Sequence, residues 1–337
     1  MSKNADQSKS DLAELNRAVS VIAPSGRESE AIAVIRDMIE SRPRLQLSCD
    51  SFGNVIIRHR RETSGAPLFF SAHIDHPALV ITATENECIF AEYRGGSEAV
   101  CEIGAEVLIA GRSGDLRLRI IGIEQSGTAS PLLRLSQHED VAIGDVGTLT
   151  PSRIQFACDD MAGVCALIHA MDRVDERNLP SPIRLVLTRA EEIGMIGAIG
   201  ACRNGVIPAG SRVIAVDARN ERCSDKLLVS LRDRTGPVSP RLAMECIRQG
   251  CEIDDGFISA TEAGVYGAFG FESVAVTYPI DHMHNINGKS ITQEHLEVEV
   301  YKRLVDIIVL LMTNVSREAT RETLSKHFDR NMPLINE

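Results

Sequence analysis

Histidines and carboxylates recur in this chain at the places where apolar runs end. His73 and Asp75 follow Leu68-Phe69-Phe70, Glu191-Glu192 follow Ile183–Leu187, Asp217 follows Val213–Val216, and His282 and His284 follow Ser273–Thr277. Asp159-Asp160 stand just ahead of a stretch with helical spacing. In open α/β sheets, ligands bind outside the carboxyl ends of the strands, so these segments could bring their side chains to one rim. Two or three imidazoles with several carboxylates suit a divalent ion such as zinc, cobalt or manganese, with no thiolate needed. A pair of such ions, about 3.5–4 Å apart, would be bridged by one carboxylate and one water.

Each piece has an ordinary explanation when taken singly. A histidine at a strand end can pair with a nearby acid. Asp159-Asp160 can cap a helix and complement its dipole. Glu191-Glu192 can be a solvated helix start, Asp217 a turn cap, and His282 and His284 surface residues. His59, His76, His138, His169, His295 and His327 read as ordinary histidines. The conjunction in order along the chain is what favours a metal centre.

The elements that must position these groups follow from periodicity. Residues 1–10 are polar and read as frayed. Leu12, Leu15, Val19 and Ile22 predict a helix, and Ile32, Ile35 and Ile39 a second. Val55-Ile56-Ile57 and Leu68-Phe69-Phe70 read as short strands. From about 78 to 152 glycines recur at short intervals, and Leu116–Ile120 alternates as a half-buried antiparallel strand does. This stretch is a small β-rich module that interrupts an α/β pattern. The pattern then resumes: a helix over Val164–Val174, strands at 183–187, 213–216 and 273–277, and helices at Ile193–Cys202, Pro240–Gly250 and Leu304–Val315. Gly194, Gly197 and Gly200 fit close helix packing better than phosphate binding. Strands alternating with helices imply a mixed, mostly parallel sheet covered on both faces.

Composition narrows the function. The 337 residues carry 36 Lys plus Arg against 47 Asp plus Glu, a net charge of −11, which disfavours nucleic acid and acidic membranes as partners. There is no Trp, so base-stacking platforms are poorly supplied. No apolar run approaches a membrane span, and the N-terminus shows no secretory h-region. The nine cysteines form no CxxC pair and are expected to be reduced thiols of a cytoplasmic protein. Other catalytic motifs fail. Gly288-Lys289-Ser290 lacks the first glycine of a P-loop, with Met283 in its place, and there is no GxSxG elbow. Cys158 has no evident histidine base.

Several stretches together resemble the M42 family of dinuclear metal aminopeptidases, the glutamyl and tetrahedral aminopeptidase group of the zinc-peptidase clan. They are Pro24–Glu28, Asp50–Val55, Ala72–Asp75, Val141–Asp145, Asp159–Gly163, Glu191–Gly194, Val216-Asp217 and Pro279–Asn285. The resemblance runs nearly the whole length. It implies a zinc-peptidase-like α/β domain, residues 1–77 plus 153–337, with a small β-barrel-like domain inserted at 78–152. It implies two divalent ions per subunit, zinc first, with cobalt or manganese as alternatives. His73, Asp159 and Asp217 would hold one ion. Asp159, Glu192 and His284 would hold the other, with Asp159 bridging. Glu191 would be the general base. Asp75 would accept from the His73 ring and fix its tautomer. The Asp159–Asp160 peptide bond would be cis.

The chain also departs from the family pattern. Met161 stands where the family usually has Arg, and Pro279-Ile280-Asp281-His282 where it usually reads Pro-Thr-Arg-Tyr. Glu262 stands where it often has Asp. These changes fall on the substrate side, so Glu262, Asp281 and His282 are candidate substrate-binding residues. The two acids would favour basic or neutral N-terminal residues. They also leave His282 as a competitor to His284, which the family register favours. The expected function is hydrolysis of N-terminal residues from peptides by a homo-oligomer, anywhere from a dimer to a dodecamer. A metal-dependent amidase or deacylase of a small N-acyl substrate is the alternative, and an inactive metal-binding assembly protein a third.

Overall fold

The alternation of apolar runs is realised as two bodies with separate cores. The computed structural model describes residues 2–62, 64–85, 88–95, 101–125, 131–149, 157–221, 224–254, 260–288, 290–315, 330 and 332. The chain opens with helices α1 (Ser2–Ala18) and α2 (Ser29–Glu40). The lead expected to be frayed is therefore helical from Ser2 onward. Lys and Gln are adequate helix formers, and the helix is anchored further along by Leu15 and Ala18 in the core. Val19 and Ile22, counted into this helix by spacing, lie beyond its end.

Strands β1 (Leu45–Cys49), β2 (Val55–His59) and β3 (Leu68–His73) follow. Then come β4 (Ala78–Thr84), β5 (Ile89–Arg94), β6 (Glu106–Gly111), β7 (Gly114–Gln125), β8 (Pro131–Leu135) and β9 (Val146–Thr148). These six close into a barrel in the order β4-β5-β8-β7-β6-β9. The alternation at Leu116–Ile120 lies inside β7. There Leu118 and Ile120 enter the barrel core with Leu79, Ile109 and Leu133, while the intervening Arg117 and Arg119 are exposed. The return to the α/β pattern expected at 152–153 falls outside the described residues.

The remaining elements are α3 (Cys158–Arg173), β10 (Ile183–Thr188), α4 (Ile196–Arg203), β11 (Arg212–Asn220), β12 (Leu228–Ser230), α5 (Pro240–Arg248), β13 (Glu252–Asp254), α6 (Glu262–Ala268), β14 (Glu272–Ile280) and α7 (Val298–Asn314). Two-residue strands β15 (Ile286–Asn287) and β16 (Ser290–Ile291) pair between β14 and α7. The main sheet has eight strands in the order β1-β2-β10-β3-β11-β14-β12-β13. Its centre, β10-β3-β11-β14, is parallel. β2 joins β10, and β12 joins β14, antiparallel.

Period-two alternation divides the packing. Leu68, Phe70 and Ala72 of β3 face a core shared with α1, α2, α3, α5 and α7. Phe69 faces the other side with Ala198 of α4 and Tyr266 of α6. All six residues of β3 are buried, as a strand covered on both faces must be. Helix α4 starts at Ile196, later than its sequence pattern suggested, because residues 191–195 form a turn with Met195 in the left-handed region. A Cβ at Gly197 would meet the Arg189 backbone at 2.3 Å, so close helix packing is the use of that glycine. Among the described residues, no helix is long and apolar enough to cross a membrane.

Candidate metal centre

The four central parallel strands end on one side of the sheet, and the chemistry-bearing residues gather there. His73 is the last residue of β3 and pairs in register with Thr188 of β10. Glu191 and Glu192 follow β10 by three and four residues. Asp217 lies within β11, three residues before its end, beyond the point where β11 stops pairing with β3. His284 follows β14, and Asp159 stands at the start of α3. The Asp159–Asp160 peptide bond is cis.

His73, Asp159 and Asp217 form one group whose ligand atoms lie within 4.8 Å of one another, and Asp159, Glu192 and His284 form a second. The two groups share Asp159. Its Oδ1 is 3.1 Å from His73 Nε2, and its Oδ2 is 3.3 Å from His284 Nε2. Asp217 Oδ1 lies 3.9 Å from His73 Nε2, and Glu192 Oε2 lies 3.4 Å from His284 Nε2. Glu191 groups with His73 and Glu192.

The donor chemistry fits a divalent cation. His73 Nδ1 must carry its proton, because it donates to the Asp75 main-chain oxygen at 3.0 Å. Nε2 faces the Asp159 and Asp217 carboxylates, and although burial works against a charged ring, Asp159 raises His73 well above the usual imidazole value. Glu192 Oε1 is buried with no hydrogen-bond partner. Burial pushes Glu191 and Asp217 well above the usual carboxylate range, and the neighbouring acids Glu192 and Asp159, respectively, push the same way. Burial and Asp159 raise Glu192 to about 7. Burial works against His284, but Glu192 and Asp159 raise it to about 10. So many acids cannot ionise side by side in a buried space unless positive charge lies between them.

Surrounding groups hold this arrangement. Asp75 is not bonded to the His73 ring by its carboxylate, which lies 3.6 Å away. Instead it accepts from the backbone N–H groups of Glu191 and Glu192, at 2.9 and 3.1 Å, and from Ser25 Oγ at 2.6 Å. The turn after β10 takes both oxygens, so it is the main-chain oxygen of Asp75 that orients the imidazole. Asn54 Oδ1 accepts from Arg189 N, and Glu28 pairs with the Arg189 guanidinium at 2.6 Å. The Pro24–Glu28 and Asp50–Val55 stretches thus act as props for the 189–192 turn.

Sequence reasoning missed two buried residues. Glu294 accepts from Asp159 N at 3.0 Å and from His284 N at 2.7 Å. It sits between β16 and α7, away from any strand end, so no local signal marks it. His76, read as ordinary, donates from Nδ1 to the Asp159 main-chain oxygen at 2.6 Å. Its signal was available in His73-Ile74-Asp75-His76. Burial pushes the Cys158 thiol well up, which keeps it inert beside the site.

The substrate-side candidates are not members of the two groups. His282 Nδ1 lies 3.2 Å from the Gln293 carbonyl oxygen. Asp281 forms a β-bridge with His295. Glu262 is only 3% exposed and accepts from Ser71 Oγ beneath β3. Glu262 and Asp281 thus contact different neighbours, and Glu262 exposes little surface. Of the other histidines, His59 and His169 are buried on structural partners and His295 is exposed. His327 lies outside the described residues.

Among solved structures, a TET aminopeptidase from a marine sediment archaeon of the Thaumarchaeota superposes with a TM-score of 0.75 at 15% identity, covering 93% of this chain and 99% of that one. The TET1 peptidase of Pyrococcus horikoshii gives 0.72 at 20% identity, covering 90% and 99%. An aminopeptidase of Desulfurococcus kamchatkensis gives 0.73 at 17%, covering 92% and 96%. The chain has the fold of the TET aminopeptidases. The coverage extends over the α/β body and the barrel alike. No protein family model matches the chain, and no curated protein matches it. At these identities the likeness speaks for the fold, and function must be argued from the site.

Proposed function

We propose that this protein is a dinuclear metal-dependent aminopeptidase of the M42 type. The observation that carries the reading is the pair of His/carboxylate groups sharing Asp159, with Glu191 beside them. His73, Asp159 and Asp217 would hold one divalent ion and Asp159, Glu192 and His284 the other, zinc being the first candidate. Bound divalent ions supply Lewis acidity toward the scissile carbonyl and an acidified water.

The chain's own residues do the rest. Glu191 takes a proton from the attacking water and returns it to the leaving amine. Its burial and its acidic neighbours raise its proton affinity, which suits a group that must hold the proton between the two events. Asp75 fixes the Glu191–Glu192 backbone through two N–H bonds and so sets where the base stands. His76 and Glu294 hold the Asp159 main chain and the His284 turn.

We further propose residues 1–77 plus 153–337 as the catalytic domain and 78–152 as its insertion. A homo-oligomer is also proposed, supported by the Pyrococcus horikoshii TET1 peptidase, described as assembling into a tetrahedron or a large octahedral shell. Metal-loaded protein should hydrolyse aminoacyl-anilides, with loss of activity on chelation and recovery on Zn2+ or Co2+ addition. Hydrolysis of N-acyl amino acids with none of aminoacyl-anilides would replace this reading by a deacylase. Metal binding without turnover of either class would replace it by an inactive metal protein.

A further inference from the structure

The barrel touches the candidate metal centre through the end of one strand. Gly95, directly after β5, has φ +84, and a Cβ built on it would stand 2.7 Å from Glu192 Cβ, 3.4 Å from Glu192 Cγ and 3.3 Å from Pro77 Cγ. Only a residue without a side chain lets the barrel backbone come this close to Glu192. That contact matters because hydrogen bonds do not fully hold the Glu192 carboxylate: its Oε1 has no partner. Packing against the stem is therefore part of what sets its rotamer.

The residue before Gly95 reaches the same turn by a second route. Arg94 Nη1 donates to the Ser25 main-chain oxygen at 2.7 Å. Ser25 Oγ donates to Asp75 Oδ2 at 2.6 Å, and Asp75 accepts the Glu191 and Glu192 backbone N–H groups. Arg94 and Gly95 thus reach the Glu191–Glu192 turn by two routes, Arg94 through the backbone of the turn and Gly95 through the Glu192 stem.

We propose that the β5 end of the barrel, Arg94-Gly95, is a positioning device for Glu192, so that the inserted barrel is a working part of the metal centre. The inference rests on the metal-centre reading and adds to it a function for the barrel inside one subunit. Gly95 touches no reacting atom; it acts through Glu192, as groups behind metal ligands do when they tune affinity.

The barrel contains its own control. Gly104 has φ +94, close to that of Gly95, yet a Cβ there meets nothing within 4 Å. Gly104→Ala and Gly95→Ala therefore share the backbone penalty of a side chain at positive φ, and only Gly95→Ala adds the collision with Glu192. The full-length metal-free protein is titrated with Co2+ by calorimetry, with the visible Co2+ absorption recorded alongside. Wild type and Gly104→Ala should take up two equivalents alike. Gly95→Ala should bind one of the two at least about tenfold more weakly, with an altered Co2+ spectrum. Equal affinities and spectra for Gly95→Ala and Gly104→Ala would overturn the proposal. Should Gly95→Ala not fold, Arg94→Met decides the matter: it keeps the stem, removes the bond to Ser25, and should weaken the same equivalent. Unchanged binding in Arg94→Met would then overturn it. Wild-type protein that binds no Co2+ would instead overturn the metal-centre reading, and this proposal with it.

Discussion

Glu191 and Glu192 are adjacent acids for which different tasks are proposed, and their surroundings differ. Glu192 Oε2 lies against His284 in the group that includes Asp159, whereas Glu191 groups only with His73 and Glu192. Glu191→Gln should lower kcat by about 10²–10⁴-fold while metal analysis still finds two ions per chain. Loss of the metals together with the activity would make Glu191 a ligand instead. Glu294 offers a second test at this scale. It accepts from the N–H groups of both Asp159 and His284, and His284 itself has φ +59. A non-glycine residue in that region needs outside support. Glu294→Ala should weaken metal affinity by about 10–100-fold, read by competition with a chelating dye, with secondary structure retained by circular dichroism.

At the scale of elements, the sheet delivers the site and the helices lock the sheet. Helix α1 is tied to the body by a polar network. Glu14 accepts from Arg42 at 2.6 Å and meets His169 Nε2 at 2.7 Å, and His169 Nδ1 meets the Tyr301 hydroxyl at 2.6 Å. Burial raises the Glu14 carboxyl, but the bonds to His169 and Arg42 outweigh it and hold the group down to about 2, from an ordinary 4.5. A folded-state value below the unfolded one means that the contribution to stability is complete above about pH 4.5. It is lost as pH falls through that value toward about 2. Thermal melts should show wild type losing more Tm than Glu14→Gln between pH 5 and pH 3, with Glu14→Gln already the less stable at pH 7. Parallel pH profiles would show that the network contributes nothing through this acid.

At the scale of the molecule, the candidate ligands come from five separate places: the last residue of β3, the head of α3, after β10, within β11 and after β14. A cation held by them would cross-link segments far apart in sequence, and it would bind only the folded chain. Chelation should therefore lower Tm, by about 5 °C or more if each ion is bound well above its Kd, and Zn2+ should restore it. A Tm indifferent to chelator in protein shown to have lost its metal would mean that the rim is assembled without help from ions. The barrel has its own apolar core, separate from those of the α/β body, yet β5 ends against Glu192. In sequence the barrel lies between β3, which ends at the candidate ligand His73, and α3, which opens with the candidate ligand Asp159.

What the sequence determined by itself was local. Runs such as Leu68-Phe69-Phe70 and Ile183–Leu187 declare strands buried on both faces, since apolar burial has a period that short windows can display. The change of texture after residue 78 declared an interruption. The strand ends carried the His and acid candidates, and the resemblance arranged them into two groups. Tertiary structure alone decided what depends on long loops closing. His284 meets Asp159 and Glu192, while His282, two residues away, turns to Gln293. Glu294 reaches Asp159 across 135 positions, and His76 reaches Asn285 across 209. Glu262 reaches Ser71 of β3 across 191 positions. None of these has a periodic signature, because a hydrogen bond between single distant residues leaves no repeating pattern in either segment. The same holds for Gly95. One glycine among 25 is unremarkable in the sequence, and only the nearness of Glu192 shows why a side chain cannot stand there.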